Sequence, residues 1–216
     1  DFPEALELLA KRAGVELRRE DPRLRSERSR LLQLVEEATK TFEANLQGGG
    51  KPDVRVSPPH AYLKSRGLSD DTITNWRIGY APDAWDFLIQ KLSKLNYKPE
   101  EIERAGLAVK SEQGSFYDRF RNRITFPIAD ASGRVVGFSG RIFEGKSGDA
   151  TKTQVSDDAR GVGAKYINTP QTLIYDKSRV LYGFDRAKEA IRKENAVILV
   201  EGQMDVVLSH QAGLRP

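Results

Sequence analysis

The stretch Ala196–Asp205, with the sequence AVILVEGQMD, decides the fold that we expect for this chain. Its first five residues are apolar and mostly β-branched, which predicts a strand buried on both faces, as in a parallel sheet. Glu201 then ends the strand, Gly202 lets the backbone turn sharply, and Asp205 lies in the first turn of a helix. Because open parallel sheets bind ligands at the carboxyl ends of their strands, we expect both carboxylates to lie close together in an active-site crevice.

Two neighbouring carboxylates in such a crevice suit a hard divalent cation such as magnesium. The alternative is an acidic pair on the surface, since negative charge near a helix N-terminus is favourable without any metal. These residues alone favour neither interpretation, so the rest of the chain has to decide between a metal site and a helix cap.

Composition excludes several classes of protein. The chain has 216 residues, of which 38% are hydrophobic and 31% charged, so it is long enough for one or two domains with a sizeable core. No apolar run approaches the ~20 residues of a membrane span and no signal-peptide pattern opens the chain, so we expect a cytoplasmic protein with no membrane partner. Cysteine is absent, which excludes disulfides and cysteine-based zinc sites within this sequence. The net charge of +4 is modest, so the placement of the arginines is more informative than their number.

The first and last residues of the sequence affect which activities we expect of it. The chain begins with Asp1, its one methionine is Met204, and it ends at Pro216, soon after the predicted strand and helix. We therefore expect a piece of a longer protein whose carboxyl end lies within a domain. One strand cannot form a parallel sheet by itself, so we expect the catalytic centre to be incomplete in this piece.

Helices are predicted for most of the first hundred residues. Arg18–Phe42 has the apolar spacing of an amphipathic helix, and we interpret its arginines as a solvated face. Ala61–Ser69 predicts a short helix that stops at a glycine, and Trp76 is assigned to the core of the helical hairpin that follows. Further along, Trp85 and Leu95 are also interpreted as packing residues without a chemical role.

Phe116–Ile128 is the second informative stretch, because Arg119, Arg121 and Arg123 alternate with other residues there. In an extended strand alternate residues share one face, so the three arginines would line one surface. Residues 131–143 predict a hairpin turn and a returning strand. A basic face with aromatic neighbours suits single-stranded nucleic acid, since arginines neutralise phosphates and rings stack on bases. The alternative is a sheet edge that its charges protect from aggregation, and the residues alone do not decide.

The segment between this hairpin and the acidic stretch is mostly polar. Residues 144–163 contain four glycines and predict a mobile loop without a chemical role. The sequences AKYINTP at 164–170 and YDKSRVLYG at 175–183 predict a short strand, a turn and a loop, in which lysines are ordinary surface residues. Residues 184–194 predict a helix that leads into the strand at 196.

Several of these stretches resemble motifs of one enzyme family. VEGQMDVV at 200–207 is similar to the first motif of a Toprim domain, in the version found in bacterial primases of the DnaG family. Four other stretches resemble primase motifs and stand in the family's order. They are RFRNRITFPI at 119–128, GFSGR at 137–141, and the sequences at 164–170 and 175–183. The resemblance runs from about Tyr62 to Leu214.

The resemblance implies a DNA primase, a DNA-directed RNA polymerase that synthesises short RNA primers on a single-stranded DNA template from ribonucleoside triphosphates. It implies that Glu201 is catalytic and that Glu201 and Asp205 bind Mg²⁺ or Mn²⁺. It also implies a set of residues that hold nucleotide or DNA. These are Arg66, Arg141, Lys165, Tyr166, Asn168 and Lys177 around the active site, with Arg119, Arg121 and Arg123 along the template strand.

The fold implied by the resemblance is α+β, with a helical and β-hairpin subdomain followed by the first strand and helix of an α/β Toprim domain. We expect N-terminal helices in 1–55, a template-binding subdomain in 56–180 and an incomplete Toprim domain in 181–216. Three parts of the family pattern are missing from the sequence: the zinc-binding module, the second acidic metal motif and the domain that binds the replicative helicase. We therefore expect no zinc here, a helicase partner only through that missing domain, and no catalysis by this piece alone.

Two other functions stay open at this point. The chain could be a module that binds single-stranded DNA without any chemistry, because its metal motif is incomplete. It could also belong to a Toprim nuclease or topoisomerase, although the arginine-rich hairpin motifs count against that class.

Overall fold

The computed structural model describes residues 2–14, 21–48, 57–144 and 164–215. Its contacts divide the chain into two compact units, 1–30 and 31–216. The predicted loop 144–163 lies almost wholly outside the described residues, so that prediction is not tested. The predicted domain boundaries 1–55, 56–180 and 181–216 also stay a proposal.

Helices and antiparallel strands are mixed along the described chain, which confirms the predicted α+β class. The helices are α1 (Phe2–Ala13), α2 (Pro22–Leu46), α3 (Pro58–Ser65), α4 (Asp70–Asn75), α5 (Phe87–Ser93), α6 (Pro99–Arg104), α7 (Phe184–Glu194) and α8 (Gln203–Gln211). The strands are β1 (Gly79–Ala81), β2 (Ala108–Lys110), β3 (Phe116–Asp118), β4 (Arg123–Ala129), β5 (Val135–Ile142) and β6 (Tyr166–Asn168). Within the described ranges, no helix is both long enough and apolar enough to cross a membrane.

A four-stranded antiparallel sheet in the order β1-β4-β5-β6 forms the centre of unit 31–216. Strands β4 and β5 pair over most of their length, as the predicted hairpin requires, and the turn between them contains Gly133 with a φ of +82°. The other two strands, β2 and β3, form a separate ribbon. Side chains alternate across the central sheet, so Phe138 and Phe126 lie on opposite faces and belong to different hydrophobic cores.

Helix α2 covers the first face of the sheet. Its residues Leu34, Val35, Ala38 and Phe42 recur at helical spacing and are almost fully buried. The Phe42 ring meets the Phe138 ring edge-on, with centroids 5.3 Å apart. This packing, rather than helix propensity, holds the second half of the helix.

An ion-pair network ties α2 to the segment that follows α4. Arg77 has a left-handed backbone with a φ of +54°, which turns the chain toward β1. Its guanidinium donates two hydrogen bonds to Glu36, both at 2.9 Å, and two to Glu43, at 3.0 and 3.1 Å. These bonds raise the pKa of Arg77 and lower the pKa of Glu36.

The second face of the sheet packs against α3, α4 and α8. Met204 and Val207 of α8 lie in a core with Phe126 and Trp76. The Gln211 side chain clamps the far end of α8, because it accepts the N–H of Ser69 at 2.9 Å and donates to the Gly67 carbonyl at 2.8 Å. The helix that carries the predicted acidic motif is therefore fixed to the body of the unit.

The predicted strand at 196–200 is wrong for this structure. These residues have no strand pairing, and the side chains of Val197 and Leu199 are 52% and 73% exposed. A strand needs a neighbour to receive its backbone hydrogen bonds, and no described strand lies beside this segment. The adjacent helix α7 is likewise amphipathic without a buried residue, so this end of the described chain has an open apolar side.

Candidate nucleic-acid and metal-binding residues

The three arginines predicted to share one face of a strand do not do so. Strand β3 ends at Asp118 and β4 begins at Arg123, so Arg119–Asn122 is an irregular loop. Asn122 has a left-handed backbone with a φ of +48°, and its side-chain oxygen accepts the Tyr80 hydroxyl at 3.0 Å. Alternate residues share one face only in an extended strand, so the arginines of this loop and of the start of β4 lie in different environments.

Arg123 is buried and joined to the backbone. Its guanidinium donates to the carbonyl oxygens of Gly140 at 3.0 Å and Ala164 at 2.9 Å, and burial lowers its pKa to about 10. Arg119 is partly buried, its Nε has no hydrogen-bond partner among the described residues, and burial lowers its pKa as well. Arg123 therefore holds β4 against β5, and its predicted contact with a template stays a prediction.

Arg121 stacks on two aromatic rings. Its guanidinium carbon lies 4.1 Å from the centroid of the Trp85 ring and 5.1 Å from that of Tyr117. The two rings meet edge-on with centroids 5.8 Å apart. We call these three residues the Trp85 stack. A cation held against exposed aromatic faces offers a nucleic acid both a charge for phosphate and a ring for a base.

Sequence reasoning missed Trp85, which was interpreted as a packing residue. The Trp85 side chain is 67% exposed, and Leu95, interpreted in the same way, is 50% exposed. Trp85 lies before the start of α5, so no helical face carries it into the core. No signal in the sequence argued against packing, because Trp85 stands three residues before Leu88 and seven before Leu92, which is the spacing of an apolar helical face.

Asp118 is hydrogen-bonded to the Trp85 segment, to the start of α5 and to Arg121, and so joins the parts of the chain that form the Trp85 stack. Its carboxylate accepts the backbone N–H groups of Leu88 at 2.7 Å and Ile89 at 3.1 Å, at the start of α5. Its backbone N–H donates to the Trp85 carbonyl at 2.7 Å, and its carbonyl accepts from the Arg121 guanidinium at 3.0 Å. Burial raises the pKa of Asp118 to about 6, although the two backbone N–H groups act in the opposite direction.

A second group of predicted residues meets where β5 and β6 pair. Arg141 stands opposite Tyr166 in the strand register, and its guanidinium lies 4.9 Å from the Tyr62 ring centroid. We call these three residues the Tyr166 cluster. Burial raises the pKa of Tyr166, while the nearby charge of Arg141 lowers it and that of Asp205 raises it. Asp205, in the first turn of α8, is therefore near enough to have a small effect on the pKa of Tyr166.

The remaining predicted cations are exposed on the same unit. Arg66 ends α3, Lys165 precedes β6, and Lys177 lies in the loop after β6. Asn168, at the end of β6, is also exposed. No ion pair involves these three cations within the described ranges, so their charges are available to an anion.

Glu201 and Asp205 are both exposed at the N-terminal end of α8. The helix begins at Gln203, and the Asp205 N–H donates to the Gly202 carbonyl at 3.1 Å, which places Asp205 in the first turn. Among the described residues, no group of three or more histidine, cysteine or acidic side chains could hold a metal. Magnesium often binds through one or two carboxylates when water and substrate phosphates complete its shell, so both residues are of the type that such an ion takes, and a shared metal site stays a prediction.

Comparison with known proteins identifies the family. Residues 55–188 match the family model described as DNA primase catalytic core, N-terminal domain. A DNA primase of Deinococcus radiodurans is 37% identical over 214 residues, which cover 98% of this chain and 33% of that protein. A DNA primase of Halalkalibacterium halodurans is 37% identical over 99% of this chain and 33% of that protein. The chain thus spans about a third of the length of these relatives.

Solved primase structures share the fold. The RNA polymerase domain of Mycobacterium tuberculosis primase DnaG matches with a TM-score of 0.71 at 36% identity, over 87% of this chain and 54% of that one. A DnaG primase catalytic domain bound to single-stranded DNA matches with a TM-score of 0.70 at 34% identity, over 88% of this chain and 55% of that one. Since the family model covers more than half of the sequence, this chain belongs to the DNA primase catalytic core family and carries its N-terminal domain.

Proposed function

We propose that this chain is the template-binding part of an enzyme that synthesises short RNA primers on single-stranded DNA during replication. The observation that carries this proposal is the Trp85 stack, an exposed tryptophan with a cation on its face. Proteins that hold single strands combine basic residues along the backbone with aromatic rings under the bases. A relative of similar fold has been solved with single-stranded DNA bound.

In this proposal the template strand passes over the Trp85 stack. The Trp85 ring stacks on a base, and Arg121 neutralises a neighbouring phosphate. Arg119 belongs to the same loop and adds positive potential there. Because stacking uses the face that every base has, this contact would hold the template without reading its sequence.

Nucleotides would bind at the Tyr166 cluster and the exposed cations beside it. Arg141 offers a planar guanidinium for bidentate phosphate contacts, and Lys165 and Lys177 offer point charges. Tyr166 and Asn168 supply hydrogen-bonding groups. Arg66 adds a further positive charge. The ligands proposed here are ribonucleoside triphosphates, whose phosphates need several cations at once.

The chemistry of primer synthesis is the transfer of a nucleotidyl group from a ribonucleoside triphosphate to a ribose hydroxyl, which breaks the bond between the α- and β-phosphates and releases pyrophosphate. Mg²⁺ or Mn²⁺ bound at Glu201 and Asp205 would neutralise the triphosphate and make the attacking hydroxyl more acidic. Glu201 would accept the hydroxyl proton or ligate the metal, and Asp205, in the first turn of α8, would support the metal. We propose that the protein acts in the cytoplasm, with a replicative helicase as its partner through a region outside this sequence.

A binding module without catalysis is the second candidate. It is favoured by the acidic site, which offers two carboxylates among the described residues and no larger ligand group. Incubating the chain with template, ribonucleoside triphosphates and magnesium separates the two candidates. Any RNA product would exclude the pure binding module.

Replacing Trp85 by Ala tests template binding. We expect the affinity for a single-stranded oligonucleotide to fall roughly 5- to 150-fold, since one stacked base contributes about 1–3 kcal/mol. Trp85→Phe keeps an aromatic ring, so its affinity for the oligonucleotide should fall by a smaller factor. The measurement is fluorescence anisotropy of a labelled oligonucleotide at fixed salt.

Leu95→Ala is the matched control, because Leu95 is an exposed apolar residue of the same unit outside the stack. It should leave the affinity within about twofold. Equal affinities for the wild type and Trp85→Ala would refute the role of the stack in template binding.

A further inference from the structure

We propose that Asp118 is the positioning residue of the Trp85 stack. Its buried carboxylate fixes the start of α5, and its backbone fixes Trp85 and Arg121. The ring and the cation thereby keep the relative position in which they contact the template. This inference rests on the proposed template-binding function. It assigns a role to an acidic residue that itself repels DNA phosphate and that sits within an arginine-rich motif.

The carboxylate acts on α5. The first turn of a helix has backbone N–H groups without intrahelical partners, and the helix N-cap, Asp86, makes no side-chain capping bond. Asp118, some thirty residues away in the chain, accepts two of these N–H groups instead, at 2.7 and 3.1 Å. The start of α5, two residues after Trp85, is thereby fastened to the end of β3.

The backbone of the same residue reaches both partners of the stack. The Asp118 N–H donates to the Trp85 carbonyl at 2.7 Å, and the Asp118 carbonyl accepts from Arg121 at 3.0 Å. Tyr117, the third member, precedes it directly. Asp118 is therefore the one described residue that is bonded to both the tryptophan and the arginine of the stack.

Burying a carboxylate at this position costs folding free energy, so its hydrogen bonds to the start of α5 have to compensate for that cost. The residue is 2% exposed, and two charged groups face it: Asp86 disfavours its ionised form and Arg121 favours it. An isosteric amide has a single acceptor oxygen, so it can satisfy one of the two N–H groups and would present its own N–H₂ to the other. Asp118→Asn should therefore loosen the start of α5 while keeping the size of the side chain.

The test compares Asp118→Asn with Asp130→Asn for binding of a labelled single-stranded oligonucleotide. Asp130, at the far turn of the hairpin, is the control for charge: one of its oxygens accepts the N–H groups of both Ser132 and Arg134, so an amide there can keep both bonds. Both changes remove one negative charge. We expect Asp118→Asn to lower the affinity about fivefold or more, and Asp130→Asn to leave it within about twofold.

A second comparison excludes a general loss of stability. In a Trp85→Ala background, Asp118→Asn should lower the affinity little further, because the group that it positions is gone. Iodide quenching of tryptophan emission in the free protein should also change in Asp118→Asn, since Trp85 is exposed whereas Trp76 is 7% exposed. If Asp118→Asn does not fold, Asp118→Glu and Asp130→Glu give the same comparison with the charge kept.

The outcomes separate this inference from the function on which it rests. If Trp85→Ala does not weaken binding, the proposed template contact is wrong. If Trp85→Ala weakens binding but Asp118→Asn does not, or if the loss persists in full in the Trp85→Ala background, the positioning role of Asp118 is overturned.

Discussion

Replacing Glu201 by Gln is expected to abolish primer synthesis and to leave the binding of single-stranded DNA nearly unchanged. Glutamine has the size of glutamate but lacks the charge that holds a divalent cation and the basicity that accepts a proton. The stabilisation that a metal gives a phosphoryl transition state amounts to several kcal/mol, so we expect a loss of about 100-fold or more in rate. Asp205→Asn should reduce the rate as well, by a smaller factor.

The measurement is incorporation of labelled ribonucleotide on a single-stranded template by the full-length protein, with and without the substitution. Glu112→Gln serves as the control, since Glu112 is an exposed acidic residue in the turn between β2 and β3. It removes the same charge far from α8 in sequence and should leave the rate unchanged. Normal synthesis by the Glu201→Gln protein would refute the catalytic role.

Replacing Gly79 by Ala should destabilise the fold severely. A Cβ at this position would lie 2.5 Å from the Cβ of Phe42, 2.6 Å from its carbonyl carbon and 2.9 Å from the backbone nitrogen of Glu43. Two of these obstacles are backbone atoms of α2, which cannot move without lifting the helix from the sheet. Overpacking of a well-packed core costs typically 1–3 kcal/mol, and we expect a value of about 3 kcal/mol here.

Thermal denaturation followed by circular dichroism measures this effect as a fall in midpoint of roughly 6–12 °C. Gly133→Ala is the control, because a Cβ there meets nothing within 4 Å but the backbone has a φ of +82°. It carries the strain of a left-handed alanine, about 1 kcal/mol, without a clash. If Gly79→Ala is no worse than Gly133→Ala, α2 does not depend on close contact with β1.

The parts of the fold with strong local patterns were predictable from the sequence. The helical period of Leu34–Phe42 and the turn at 131–133 both specify structure through neighbours that the chain itself supplies. The strand at 196–200 had an equally strong apolar pattern and did not form. The apolar pattern predicted buried side chains, but it did not show which strand would pair with this segment. A strand without a partner leaves its backbone N–H and C=O groups without hydrogen bonds.

The candidate site was predictable in its residue types and less so in its geometry. Arg119, Arg121 and Arg123 were grouped by alternation, yet an irregular loop separates β3 from β4 and gives the three arginines different surroundings. Asn122 was a local signal of this loop, because asparagine is depleted in strands and enriched at positive φ, but a single residue did not outweigh the alternating arginines. Trp85 was missed because hydrophobic residues are assigned to the core by default, whereas its exposure depends on where α5 begins.

The central claim is that this chain holds a single-stranded template through the Trp85 stack, and a salt series tests it most directly. Affinity for a labelled single-stranded oligonucleotide would be measured from low to high salt for the wild type, Arg121→Ala and Arg134→Ala, with duplex DNA for comparison. Each phosphate contact on a single strand contributes about −0.7 to the slope of log affinity against log salt.

We predict that the wild type prefers the single strand, that Arg121→Ala makes the slope shallower by about 0.7, and that Arg134→Ala, at the exposed hairpin turn, leaves it unchanged. Absence of binding at low salt, or equal slopes for the wild type and Arg121→Ala, would contradict the account.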